Sequence, residues 1–112
     1  MDEMTDPNTL LKRWDKVFTS PIRFTITAAI SRQDTVSFSA LRRILGISSA
    51  LMSKHVSVLE GAGYVDVHKI QEGRKVLTEL ELTPQGRAAF DGQVALLEEI
   101  SGTHQGDGPN EK

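Results

Sequence analysis

Residues 41–67 read LRRILGISSALMSKHVSVLEGAGYVDV, and this stretch decides the fold. Gly46 interrupts a helical pattern where a residue tolerant of positive φ ends a helix. Ile47 follows as an apolar anchor, and Ser48 can cap a new helix by accepting from its free N–H groups. That new helix is predicted to run to about Ala62, with Met52, Val56 and Leu59 on its apolar face and Leu51, His55 and Val58 beside them. The helix before Gly46 is predicted over Phe38 to Leu45, capped by Ser37 and buried through Leu41, Ile44 and Leu45. A connection as short as Gly46-Ile47-Ser48 permits only a tight crossing. The pair therefore reads as a helix-turn-helix whose second helix projects outward. At 1.5 Å per residue, its roughly 14 residues give about 20 Å, enough to lie across a major groove.

Outward from this pair, the period of the pattern changes. Val65 and Val67 alternate with Asp66 and His68, and Leu80 and Leu82 alternate with Glu79 and Glu81, as two half-buried strands do. Gln71-Glu72-Gly73-Arg74 supplies the hairpin tip. Thr83-Pro84 places a capping hydroxyl before a residue that lacks an N–H, and so opens a last helix to about Ile100. Upstream, Ser20-Pro21 repeats the device and starts a helix with Ile22, Ile26, Ala29 and Ile30 on its stripe. Thr35-Val36-Ser37 reads as a very short strand. Leu10, Leu11, Trp14, Val17 and Phe18 recur at the spacing of one first helix, capped by Asn8 or Thr9. The predicted order is α-α-β-α-α-β-β-α. A helix-turn-helix followed at once by a hairpin is a winged helix, so the fold class is mainly α with a small β-hairpin (α+β). The expected organisation is a flexible start over 1–7, one domain over 8–100 and a polar, Gly-rich tail over 101–112.

Three fragments carry a family resemblance. Residues 41–67 are similar to the recognition half of MarR- and ArsR-type repressors: a Gly-apolar-Ser turn, a Ser-x-His step, then Leu-Glu-x-Ala-Gly-Tyr-Val. GRKVLTELELTPQGRAAF (73–90) resembles their wing strand and the opening of the last helix, and SPIRFTITAAI (20–30) resembles the Pro-x-Arg helix that precedes the reader. The similarity spans about Phe18 to Phe90. It implies a homodimeric regulator of transcription, a repressor, that binds double-stranded DNA. It implies DNA contacts from Ser49, Ala50, Ser53, Lys54 and Ser57 on the outward face of the reader helix, and from Arg74 and Lys75 at the wing tip. Ser48 can donate to phosphate at the helix start. Arg42 and Arg43 on the preceding helix are candidates for backbone contacts. The outward face holds no Arg, Asn or Gln, the side chains suited to bidentate base readout, so shape readout by Arg74 is expected to carry much of the selectivity.

The terminal helices offer a dimer interface. Leu10, Leu11, Trp14 and Phe18 are expected to meet Phe90, Val94, Leu97 and Ile100, burying a wide apolar surface and spacing two readers for a palindromic site. Any small-molecule effector would have to act there or in a crevice near Trp14. The rival reading is a winged helix that uses the reader face to bind protein instead of DNA.

Composition narrows the other classes. The 112 residues include no cysteine, which excludes disulfides, a Cys nucleophile and thiolate metal sensing. His55, His68 and His104 share no metal-ligand spacing, so neither a metal nor a cofactor is expected, and His55 reads as a packed, hydrogen-bonded residue. Glu79 and Glu81 lie on an exposed strand face without a partnered base, and no phosphate loop or nucleophile elbow occurs; no enzymatic activity is expected. MDEMTDPN lacks an apolar signal segment and no run is long enough to span a membrane, so the expected location is the cytoplasm.

The formal charge of −2 argues against a general nucleic-acid binder. Its distribution reverses that argument. Residues 1–37 balance at 5 basic and 5 acidic, residues 38–87 carry 7 basic against 5 acidic, and residues 88–112 carry 1 basic against 5 acidic. The acidity lies in the last helix and tail, away from the expected DNA face.

Overall fold

A computed structural model describes residues 6–102. Helix α1 (Pro7–Lys12) leads through a 3-10 turn (Lys16–Thr19) into α2 (Pro21–Ser31), β1 (Val36–Ser37), α3 (Phe38–Leu45) and α4 (Ser49–Gly61). Strands β2 (Val65–Glu72) and β3 (Lys75–Leu82) form the wing, and α5 (Pro84–Ser101) is the last element of the described residues. This is the winged-helix order, with a three-stranded antiparallel sheet in the sequence β1-β3-β2. The frayed ends expected over 1–7 and 101–112 fall largely outside the described residues. Within that range Pro7 already opens α1 and Ser101 closes α5.

The local signals act as elementary chemistry requires. The hydroxyls of Ser20, Ser37, Ser48 and Thr83 each accept from an N–H of the helix they precede, and Pro21 and Pro84 follow where an N–H would go unused. Gly46 sits at φ 70°, in the left-handed region that frees the chain to turn between α3 and α4. At the wing tip, Gly73 takes the first of two loop positions at φ 65°, between the paired residues Glu72 and Lys75.

Two expectations need correction. The first helix is not continuous: it starts from Asp6, not Asn8 or Thr9, and stops at Lys12. The Asp15 carboxylate then accepts from the Val17 N–H at 2.9 Å, which restarts the chain as the 3-10 turn. A local side-chain hydrogen bond has outcompeted the helical ladder there. Ile44, expected inside, is 79% exposed, because α3 is only two turns long and buries just one edge, at Leu41.

One core unites the layers. Phe18, Ile26, Ile30, Leu41, Met52, Val56, Leu59, Val65 and Leu80 are buried together, drawing on the 3-10 turn, α2, α3, α4, β2 and β3, with the half-buried Val36 of β1 packed against them. Phe18 stacks on Tyr64 at 5.7 Å between centroids and meets Phe24 and Phe90 edge-on. The reader helix α4 is thus seated through Met52, Val56 and Leu59, with its other side left to solvent.

Its far end is locked to α5. Thr83 Oγ1 donates to the Gly63 carbonyl at 2.6 Å and accepts from Gly86 N at 2.9 Å, while Thr83 N donates to the Tyr64 carbonyl. Gly86 lies so close beneath that carbonyl that a Cβ would stand 2.2 Å from its oxygen. The Thr-Pro-x-Gly opening of α5 therefore fixes where the reader helix ends and the wing begins.

Candidate nucleic-acid interface

The exposed side of α4 carries Ser49, Ala50, Ser53, Lys54 and Ser57, all open to solvent as the spacing predicts. Ser48 is exposed too, and its Oγ accepts from Leu51 N at 3.1 Å, leaving its own O–H to donate outward. Arg74 and Lys75 stand exposed at the tip of the wing. Reader and wing flank one groove of about 400 Å³, lined by Ser53, Ser57 and Glu60 from α4 and by Val67, Lys69 and Thr78 from the sheet. Lys69 was not among the expected contacts. The alternation of Val65, Val67 and Lys69 on one strand face is the signal that locates it here.

The two arginines of α3 part company. Arg43 is exposed. Arg42 is half-buried and donates from Nη1 to the Ile47 carbonyl at 2.9 Å, so part of its guanidinium holds the turn between the two helices. Its remaining N–H groups are the ones left for a phosphate.

The expected dimer residues separate in the same way. Leu10 and Phe18 are buried within the protomer, at 9% and 3% exposure, and present no surface to a partner. Trp14 is half-buried and Leu11 is 66% exposed. Phe90, Val94, Leu97 and Ile100 line an open apolar groove of about 610 Å³ together with Phe24. Arg13 ties the start of the chain to this end of α5 by a two-pronged contact with Glu99 at 2.8 and 2.9 Å, which raises the guanidinium pKa.

Three polar contacts involve partners that the sequence does not announce, although His55 is hydrogen-bonded as expected. Tyr64 O–H donates to Asp15 Oδ2 at 2.6 Å, and chiefly this bond pushes its pKa up to about 12. Gln93 Oε1 accepts from Asp15 N at 3.0 Å. Arg23 Nη1 lies 3.1 Å from His55 Nδ1 on the inner side of the reader helix. Partial burial foremost, then the nearby charges of Arg23 and Lys54, lower the His55 pKa below its ordinary value.

On the outer face of the wing, His68 Nε2 meets Glu81 Oε1 at 2.8 Å, so Glu81 has a base beside it after all. Asp66 joins them, with one ligand atom from each residue lying within 4.8 Å of the others. All three are exposed, and the His68–Glu81 pair already satisfies the geometry. Among the described residues no helix is long and apolar enough to cross a membrane.

Comparison with known proteins agrees with this geometry. A family profile described as a winged helix DNA-binding domain matches residues 22–101. An uncharacterised protein of Methanocaldococcus jannaschii is 27% identical over 86 residues, covering 77% of this chain and 94% of that protein. The structure of a transcriptional regulator homologue from Pyrococcus horikoshii superposes with a TM-score of 0.76 at 21% identity, covering 85% of this chain and 92% of the other. The regulator BldR from Sulfolobus solfataricus follows at a TM-score of 0.62 and 22% identity, covering 92% and 73%. A mutant MarR from E. coli gives 0.64 at 13% identity, covering 89% and 77%. The fold is that of the MarR-type regulators.

Proposed function

The chain belongs to the family of winged helix DNA-binding domains, and we propose that it acts as a homodimeric transcriptional regulator, a repressor, on a short pseudo-palindromic duplex. Family and fold are those of DNA-binding proteins and not of enzymes. One observation carries the reading: Ser53 and Ser57 on the exposed side of α4 and the inner face of the wing border a single groove, and Arg74 and Lys75 are exposed at the tip of the same wing. A duplex laid there would receive α4 in the major groove, with the wing tip against phosphate or the minor groove. Ser48, Ser49, Lys54 and Arg43, with the free N–H groups of Arg42, would fix register on the backbone. Ala50, Ser53 and Ser57 are too short for bidentate base contacts, so selectivity rests heavily on groove shape read by Arg74. The groove of Phe24, Phe90, Val94, Leu97 and Ile100 would pair with its copy and hold two readers about 34 Å apart, one turn of DNA.

Salt dependence tests the reading. Binding to random-sequence duplex should be weak and fall steeply as salt rises, and Arg74→Ala should reduce the slope of log affinity against log salt by about one. Selection from a random duplex pool should recover an inverted repeat. Absence of duplex binding even at low salt favours the second reading, a protein-interaction module. That reading has one observation behind it: Ile70, Val76 and Leu77 leave apolar surface exposed on the wing, at 39%, 57% and 38%.

A further inference from the structure

We infer that Arg23 is a positioning residue for the reader helix, tying α4 through the unprotonated Nδ1 of His55 to the segment that precedes α2. The inference rests on the DNA-binding reading above and deepens it by naming what aims the reader.

The geometry has a definite direction. A guanidinium has only donors, so at 3.1 Å it is Arg23 Nη1 that donates and His55 Nδ1 that accepts, which places the imidazole proton on Nε2. Arg23 Nε meanwhile donates to the Val17 carbonyl at 2.7 Å. The arginine itself is held at its backbone: its N–H donates to Ser20 Oγ and its carbonyl accepts from Thr27 Oγ1. One side chain therefore spans the 3-10 turn, α2 and the middle of α4. The same segment reaches the far end of the reader, because Asp15 accepts from the Tyr64 hydroxyl. Residues 15–17 thus grip α4 at its middle and just beyond its end. Upstream, Arg13 binds Glu99 on α5, so displacement of the terminal helices has a short polar route to the reader.

A histidine that merely fills space would not need a cation aimed at its lone pair. Arg23 on α2 and Lys54 on the same helix as His55 are the charged groups that act on this imidazole. Neither α3 nor β2, which also pack on α4, adds a further one. Among the described residues no carboxylate stands at ion-pair distance from it. Protonation of Nδ1 would turn the acceptor into a second donor facing a permanent cation, and the contact would open. DNA affinity should consequently fall on acidification. That sign is opposite to the general electrostatic trend, in which an acidic protein gains positive charge and binds DNA better as pH drops.

The test has two arms. In the free protein, NMR titration of the histidines should show His55 protonating at lower pH than an ordinary histidine, and Arg23→Gln should move it upward. With a random-sequence duplex at low salt, acidification from about pH 7.5 to about pH 5.5 should weaken wild-type binding roughly threefold to tenfold, the scale of one modest hydrogen bond across the range where histidine changes charge. Arg23→Gln should be weaker by a similar factor at the higher pH and should not weaken further. His55→Asn, whose Oδ1 replaces Nδ1 as an acceptor that does not titrate, should keep the neutral-pH affinity and lose the acid sensitivity. Circular dichroism at both pH values checks that each variant is folded. An unchanged His55 titration in Arg23→Gln, or equal acid responses in all three proteins, would overturn the inference. A wild type that binds no duplex at any pH overturns the DNA-binding reading itself, and the role assigned to Arg23 with it.

Discussion

At the residue scale, Gly86 and Tyr64 make the sharpest claims. A methyl group at position 86 would press on a backbone oxygen, which has no rotamer to escape into. Gly86→Ala should therefore destabilise the fold by about 2 kcal/mol, the scale of an overpacked core position, and lower the urea midpoint without changing the m-value. Tyr64 is the single tyrosine of the chain, so its ultraviolet titration reports one group. Its pKa is raised to about 12 in the fold, against about 10 for a free phenol. The folded state thus holds the proton more tightly than the unfolded chain. The stabilisation is present in full below pH 10 and disappears as pH climbs from about 10 towards about 12. Asp15→Asn should bring the titration back towards 10 by removing the carboxylate that accepts the bond. Neither contact was legible in the sequence. Asp15 and Tyr64 are separated by 49 positions, and nothing in a one-dimensional pattern announces that a loop carboxylate will meet a phenol.

At the scale of elements, what the chain encodes locally was legible and what it settles by competition was not. Ser20, Ser37, Ser48 and Thr83 cap their helices as the sequence predicts, because a hydroxyl and an N–H three residues on need no distant partner. The first helix failed for the converse reason. Leu10, Leu11, Trp14, Val17 and Phe18 keep helical spacing, yet Asp15 offers the Val17 N–H a better local acceptor and Phe18 is drawn into the core from a 3-10 turn. Periodicity alone cannot weigh that exchange. The reader and wing were placed correctly, and the alternation through Val65 and Val67 already puts Lys69 on their strand face, although only the fold shows that this face borders the groove. The two serine caps on either side of the turn give a matched experiment. Ser37→Ala and Ser48→Ala should each cost about 1 kcal/mol, the usual value of an N-cap. Only Ser48 starts the reader helix, so Ser48→Ala should also weaken duplex binding, while Ser37→Ala leaves it near wild type. Equal losses of affinity in the two variants would remove Ser48 from the interface.

At the scale of the molecule, charge and apolar surface are segregated, and the segregation makes association with itself and with DNA respond oppositely to salt. Residues 38–87 hold a surplus of two basic groups, whereas the described residues 88–102 carry Asp91, Glu98 and Glu99 and no basic group. The open apolar groove lies on the acidic side, with Glu98 at its edge. Two copies meeting there would bury Phe90, Val94 and Leu97 but bring like charges together. Added salt screens that repulsion and strengthens apolar association, while it weakens every contact to phosphate. Sedimentation at rising salt should show the dimer persisting or tightening as duplex affinity falls. Leu97→Asp places a charge inside the groove and should leave a monomer. Its binding to random duplex, one reader at a time, should stay close to wild type. Affinity for a selected inverted repeat should drop roughly a hundredfold, the scale of avidity lost when two sites no longer act together. If Leu97→Asp remained dimeric, the pairing surface would have to lie elsewhere, with exposed Leu11 and half-buried Trp14 at the other end of the chain the next residues to change. If it became monomeric yet kept its affinity for the repeat, each reader would be sufficient alone, and the symmetry of the site would owe nothing to the symmetry of the protein.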